Sequence, residues 1–337
     1  MQHAIRRPFA GKLFAALLAF ASMQAFAQPK EITVAYFLEW PTPNQVAQLE
    51  KTFDKKMGVK VNWKAFPNGN DMSAAMASDS VQISYSQGLI PFIVATSKGL
   101  PITTVGVAVS YADADTCVVN NAAGIDRSSK ASMARTLRGK SVATPIGNVT
   151  HYKLLKTLDH YGLSGNDMKI VPVSGGNDAA AAFLTRKVDI ACAFGGPVDR
   201  MLESGTQLMT GAEQEKIGIL TFDVISVTNK FLKDHPEMVE QFLQITEDAN
   251  REYAANPGAK LNTLAKAAGM KPKATRSLLK KFVFPTKNEQ LSRAWLGGTA
   301  QELTKGAADF FVSQGVMKSS LRSYDQVYDT SFLKRVK

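Results

Sequence analysis

Apolar residues along this chain switch repeatedly between two periods. Short β-prone runs at 31–36, 60–66, 81–85, 102–110 and 116–119 are bounded by Gly, Pro, Asn or Ser. Between several of them apolar residues recur three and four apart, as Val46, Leu49 and Phe53 do behind Pro41 and Pro43, which predicts amphipathic helices. A shorter helix is predicted between Asn68 and Ala77. The alternation continues with strands at 141–144, 169–173, 188–194 and 218–227 and helices at 151–160 and 176–186. Strand and helix in turn are the signature of parallel or mixed α/β sheets. From Asn229 onward the pattern is almost wholly helical, with starts marked by Pro236, Pro257 and Pro272 and a long amphipathic stretch at 289–315 broken at Gly297-Gly298. A helical tail of this kind must pack on something already formed. The expectation is therefore two α/β lobes: 28–117 and 222–337 form the first lobe with the C-terminal helices, and 118–221 is inserted as the second. Two crossings join them and leave a cleft between.

Open α/β sheets place ligands beyond the carboxyl ends of their strands, here at the loops 37–44, 86–90, 145–150 and 194–197. The most informative is Ser141 to Leu155, where a β-prone run stops at Pro145, Gly147-Asn148 turn the chain, and Thr150 stands before a helix. The unpaired amides of such a helix start, with the Thr150 hydroxyl, suit the oxygens of an anion. Ordinary punctuation with Thr150 as a cap is the competing reading. Ser86 to Phe92 repeats the same logic, with Pro91 tolerated in a helical first turn.

His151 is the best general-base candidate, since His160 and His235 sit on a helix face and beside a proline. Its nucleophile would be Ser86 or Ser226, yet there is no Gly-x-Ser-x-Gly elbow, HExxH, CxxC or P-loop. A non-catalytic protein without metal or cofactor is expected; an exported hydrolase is the enzymatic alternative.

Composition refines the compartment. Arg6, Arg7 and Lys12 precede an apolar segment from Phe14 to Phe20 and the small-x-small triplet Ala25-Phe26-Ala27, the pattern of a cleaved secretory signal over 1–27. No Cys follows it, so a soluble periplasmic product without a lipid anchor is expected. Losing those three basic residues lowers the formal charge from +11 to +8. The remaining Lys and Arg are scattered, as in Lys271, Lys273, Arg276, Lys280 and Lys281, which reads as solvated helix faces rather than a nucleic-acid patch. Cys117 and Cys192 lie in apolar, strand-like surroundings and suit either a disulfide or two separate buried thiols.

Asp223 stands in the apolar run Leu220 to Val227 and is costly to bury without compensation. It either meets a ligand ammonium or caps backbone amides. Glu39 is a second acid of this kind, and Trp40 beside it offers a ring face to a cation or an apolar wall. An anion site with an acid opposite describes a zwitterion.

Val34-Ala35-Tyr36, Val81-Gln82-Ile83 with Gly88 and Pro91, Thr150-His151-Tyr152-x-Leu154-Leu155, Asp189-Ile190-x-x-Ala193 with Pro197, Thr221-x-Asp223-Val224 and Asp234-His235-Pro236-Glu237 occur in that order. Over nearly the whole mature chain this resembles the taurine-binding periplasmic proteins of ABC importers, within the nitrate/sulfonate/taurine group. The resemblance implies the type II periplasmic-binding-protein fold, hinge closure on a small organosulfonate or zwitterion, and delivery by a monomer to a membrane permease. It implies sulfonate contacts from Gln87, Gly88, Val149 and Thr150, joined by His151 or Tyr152, and amine recognition by Asp223. Where the taurine binders resembled here carry a Trp, this chain has Phe194-Gly195-Gly196. One pocket wall is thus expected to be thinned and the ligand to be bulkier or more cationic than taurine. A periplasmic sensor for such an amino compound is the alternative role.

Overall fold

The computed structural model describes residues 28–337; the leader expected over 1–27 lies outside the described residues. Among the described residues eleven strands form two sheets. They are β1 Glu31–Tyr36, β2 Lys60–Ala65, β3 Ile83–Gly88, β4 Ile102–Tyr111, β5 Asp115–Asn120, β6 Ser141–Thr144, β7 Lys169–Pro172, β8 Ile190–Phe194, β9 Gly205–Gln207, β10 Thr221–Thr228 and β11 Phe282–Val283. The first sheet runs β11-β4-β10-β3-β1-β2 and the second β7-β6-β8-β5-β9. In the first, β1 lies parallel to β2 and β3, while β10 is antiparallel to both of its neighbours. In the second, β6 is parallel to β7 and β8, and β5 is antiparallel to β8 and β9. The architecture is an α/β, two-lobed periplasmic-binding-protein-like fold with mixed sheets and a helical tail.

The chain passes from the first sheet to the second between Tyr111 and Asp115 and returns between Gln207 and Thr221. All of β3 and β10 is buried. Strands covered by helices on both faces read as continuous apolar runs, so the polar residues among them, Ser86, Gln87 and Asp223, need partners inside the protein. Cys117 and Cys192 are direct cross-strand partners on β5 and β8 and are joined by a disulfide. The bond closes a loop with a sequence separation of 75; restriction of the unfolded chain by such a loop contributes up to about 4 kcal/mol.

Local differences from the sequence reading have local causes. The helix expected around Val46 to Phe53 is two short ones, Asn44–Leu49 and Thr52–Met57, because Lys51 between them adopts φ 55. The stretch 289–315 is broken more widely than Gly297-Gly298 implied: the helix Lys287–Gln290 is followed by turns, and a new helix, Thr299–Ser313, starts after Gly298 at φ 151. That last helix packs on the helix Leu89–Ser97 of the first lobe. Its Phe310 and Phe311 also reach Tyr152 and His151 of the second lobe. The tail therefore bridges the lobes.

Candidate functional site

Three helices begin at the cleft. Gly69–Ala77 starts behind Asn68, Leu89–Ser97 behind Gly88, and Val149–His160 behind Asn148. Gly69, Gly88 and Val149 all line one small cavity between the lobes, of about 20 Å³. In the third helix the first backbone bond is donated by Tyr152 N to Asn148 O. The amides of Val149, Thr150 and His151 precede it and have no acceptor within the helix, so this end carries the partial positive charge of a helix N-terminus. Asn148 does not cap its own helix with its side chain. Its Oδ1 instead accepts from Gly69 N at 3.2 Å, across the cleft.

The opposite wall is aromatic and acidic. Phe37, Trp40, Tyr111 and Phe194 line it together with Asp223 and Asp115. Trp40 meets Tyr111 edge-on at 4.8 Å between centroids and Phe194 at 5.9 Å, and Phe194 meets Phe37 at 5.3 Å. Phe194 stands in the wall expected to be thinned and packs on the Phe37 and Trp40 rings of the other lobe.

Asp223 is 2% exposed. Its Oδ2 accepts from Ser86 Oγ and its Oδ1 from the Tyr111 hydroxyl, both at 2.6 Å, while Trp40 Nε1 donates to Ser86 Oγ at 2.9 Å. A register irregularity between Asp223 and Val224 in the β10–β4 pairing falls at this residue, where such breaks re-aim a side chain. Ser86 holds φ 64, a costly conformation for a non-glycine that puts local strain at the contact. Neither backbone capping nor a protein cation satisfies Asp223; two hydroxyls do. Burial nevertheless pushes its carboxyl up to about 7, against the lowering effect of those bonds, and pushes the Tyr111 hydroxyl well above its ordinary value.

Asp115 sits at the crossing between lobes. Burial also raises its carboxyl to about 7, opposed by Lys153, whose own ammonium burial drives downward. Lys153 lies one turn into the helix Val149–His160 and donates to Ala112 O and Asp115 O, each at 2.7 Å.

Of the sequence-derived site residues, the structure brings Trp40, Gly88, Val149, Phe194 and Asp223 to the cavity wall. The others are occupied elsewhere. Glu39 forms an ion pair with Arg200 of the other lobe at 2.7 Å. Gln87 donates to Ser73 Oγ at 2.7 Å and its side-chain oxygen accepts from Ser226, which places it under the β3–β10 surface. Thr150, expected to precede its helix, lies within the first turn, and its hydroxyl pairs with that of Thr144 at 3.2 Å. His151 accepts from Gly147 N through Nδ1 and faces Phe311 at 5.7 Å; burial lowers its pKa to about 4. Tyr152 packs on Phe310 and Phe311, with burial raising its hydroxyl to about 12. The candidate nucleophiles are turned to other partners, Ser86 to Asp223 and Ser226 to Gln87.

Sequence reasoning missed Tyr111, Asp115, Asn148 and Gly69. A signal existed for Asp115, an acid at the head of an apolar strand beside the crossing, as Asp223 is at the return. Tyr111 carried none, since an aromatic residue ending a strand is commonplace.

A two-lobed protein with helix N-termini on one side of a closed cleft and buried carboxylates on the other is a small-molecule receptor of the periplasmic-binding class. Residues 42–260 match the family described as NMT1/THI5 like. The taurine-binding periplasmic protein of Escherichia coli K12 is 30% identical over 326 residues, 95% of this chain and 97% of that protein. The alkanesulfonate-binding protein of Xanthomonas axonopodis pv. citri, bound to MOPS, superposes with a TM-score of 0.70 at 22% identity, covering 86% of this chain and 95% of that one. The periplasmic aliphatic sulphonate binding protein of Escherichia coli gives the same TM-score at 19% identity, over 90% and 93% of the two chains. The chain belongs to the NMT1/THI5 like family, among the periplasmic substrate-binding proteins of ABC import systems related to the sulfonate and taurine binders. Among the described residues no helix is long and apolar enough to cross a membrane.

Proposed function

We propose that this chain captures a small aminosulfonate, taurine or a close zwitterionic relative, by closing its lobes, and delivers it to the membrane permease of an ABC importer. In this reading residues 1–27 are removed on export. The lobe carrying the first sheet then closes as a monomer against the lobe carrying the second, with the boundary near 117 shifted to the crossing between Tyr111 and Asp115 so that β5 belongs to the second lobe. The sulfonate takes the amides at the start of the helix Val149–His160 together with those following Gly88, and the ammonium takes Asp223 within the Trp40–Tyr111–Phe194 wall.

The observation that carries the reading is Asp223, a carboxylate 2% exposed with hydroxyl partners alone, in a cavity whose other side is built from helix N-termini. A buried charge so placed is compensated by a ligand cation. The relatives support the same chemistry: the one at 30% identity is described as taurine-binding.

A thermal-shift screen of the exported protein tests it, with taurine, ethanesulfonate, sulfate, nitrate, a phosphonate and cationic amino compounds lacking a sulfonate. A ligand at one hundred times its Kd stabilises by about 2.7 kcal/mol, so taurine should give the largest shift. No shift with any sulfonate would remove the proposal. N-terminal sequencing of the exported chain should begin at Gln28.

A further inference from the structure

Asp115 is 2% exposed and lines the cavity. Its Oδ1 has no hydrogen-bond partner and stands 4.0 Å from Lys153 Nζ, beyond hydrogen-bonding reach. A carboxylate oxygen removed from water without a donor is a costly arrangement unless something else supplies the donor. Two of the three Lys153 N–H groups go to Ala112 O and Asp115 O, and Oδ1 stands outside the hydrogen-bonding reach of the third. Those two bonds instead pin the crossing segment, and with it the Asp115 backbone, to the helix whose N-terminus faces the cavity. Lys153 also lies 5.4 Å over the Tyr111 ring, and Tyr111 donates to Asp223. The wall therefore carries two buried carboxylates and one buried ammonium. With all three ionised, one negative charge is left uncompensated.

We infer that Asp115 is a second carboxylate of the ammonium subsite: the ligand ammonium donates one N–H to Asp223 and another to Asp115 Oδ1. The site thereby selects primary and monomethyl amines, which carry at least two N–H groups, over dimethyl and quaternary ones. Lys153 is a positioning residue that holds Asp115 at the cavity. The inference rests on the aminosulfonate reading above and adds to it the number of N–H donors the ligand must offer. It also makes Asp115, in place of Glu39, the second acid at the site. The aromatic wall alone would favour a quaternary ammonium through cation–π attraction; the orphaned Oδ1 is what decides against it.

The test is calorimetry at pH 8 on the whole exported chain. The probes are taurine, N-methyltaurine, N,N-dimethyltaurine, N,N,N-trimethyltaurine and ethanesulfonate. The wild-type protein should bind taurine and the monomethyl compound alike and the dimethyl and trimethyl compounds at least about tenfold more weakly. In Asp115→Asn, taurine should weaken by about tenfold or more, ethanesulfonate should stay unchanged, and the penalty for methylation should shrink. Equal affinity for taurine and trimethyltaurine in the wild type overturns the inference. So does an Asp115→Asn variant that loses taurine and ethanesulfonate alike. If that variant does not fold, the wild-type methylation series decides alone. Selective loss of the amine in Asp223→Asn but not in Asp115→Asn overturns this inference and leaves the proposed function standing. Failure of the wild type to bind any sulfonate removes both.

Discussion

A β-carbon placed on Gly175 would stand 2.6 Å from the carbonyl oxygen of Pro67 on the other lobe. Beside this contact Asn68 Nδ2 donates to Ser174 O at 2.8 Å, so the two lobes meet backbone to backbone at the cleft edge. The Gly175 backbone, with φ −166 and ψ −175, is extended and open to any residue. The glycine is required by the neighbouring lobe and not by its own dihedrals.

Gly175→Ala should therefore leave the ligand-free protein intact and obstruct closure. Overpacking of one methyl against backbone costs about 1–3 kcal/mol, which falls on the closed form alone. Taurine affinity should drop by the corresponding factor while the Tm of the ligand-free chain stays within a few degrees. Unchanged affinity by calorimetry would show that closure does not bring these residues together.

Ligand binding should depend on pH in one direction. The Asp223 carboxyl, raised to about 7 by burial, must be ionised to hold an ammonium. Taurine affinity should rise by up to about tenfold per pH unit below 7 and level off above it, with ethanesulfonate nearly flat. Calorimetry in buffers of differing ionisation enthalpy should register proton release on taurine binding below pH 7. Proton uptake would contradict the assignment.

Measured without added ligand, the stability of the protein should show two opposing pH limbs. Asp223 has its folded pKa raised above the ordinary 3.8. Its contribution is fully present below that value and is lost as pH rises toward 7. His151 has its folded pKa depressed from 6.5 to about 4. Its contribution is present above 6.5 and is lost as pH falls through that window. These shifts amount to about 4 kcal/mol at most for Asp223 and about 3 kcal/mol for His151. Urea denaturation between pH 4 and 8 should show Asp223→Asn reducing the first limb, the remainder belonging to Asp115, whose carboxyl burial also raises to about 7, and His151→Gln flattening the second; variants that track the wild type would refute the buried, ionisation-averse environments described for them.

Glu39 separates a latch from a ligand contact. Its carboxylate pairs with Arg200, and the neighbouring Asp199 pairs with Lys281 of the first lobe at 2.8 Å. Partly exposed pairs of this kind contribute about 0.2–1 kcal/mol each. Glu39→Ala should weaken taurine and ethanesulfonate equally, by up to about fivefold, and less at high salt. A loss confined to taurine would return Glu39 to the amine site.

Much of the fold was legible because its signals are local. The two periods, the prolines at helix starts and the turn at Gly147-Asn148 act over a few residues, and they located β1 to β8 and β10, the cleft loops and the helix N-terminus near 149, but not the short edge strands β9 and β11. Asp223 was conspicuous for the same reason, as one acid in an apolar run. The roles of Glu39, Thr150, His151 and Tyr152 were not legible, because each depends on what lies across the cleft or beneath the tail. Arg200 draws Glu39 away, Thr144 holds Thr150, and Phe310 and Phe311, about 160 residues downstream, cover the other two. Burial and pairing are properties of the assembled chain.

The sequence by itself determined an alternating α/β protein with an inserted lobe, helix starts facing a cleft, and an acid set against them. Only the tertiary structure decided which polar groups that cleft leaves unsatisfied. Asp223 is met by Ser86 and Tyr111, while Asp115 is tied through its backbone to Lys153 with its Oδ1 unpartnered. The physical reason is that unpaired charge becomes costly only when water is excluded, and water is excluded here by the meeting of two lobes distant in sequence.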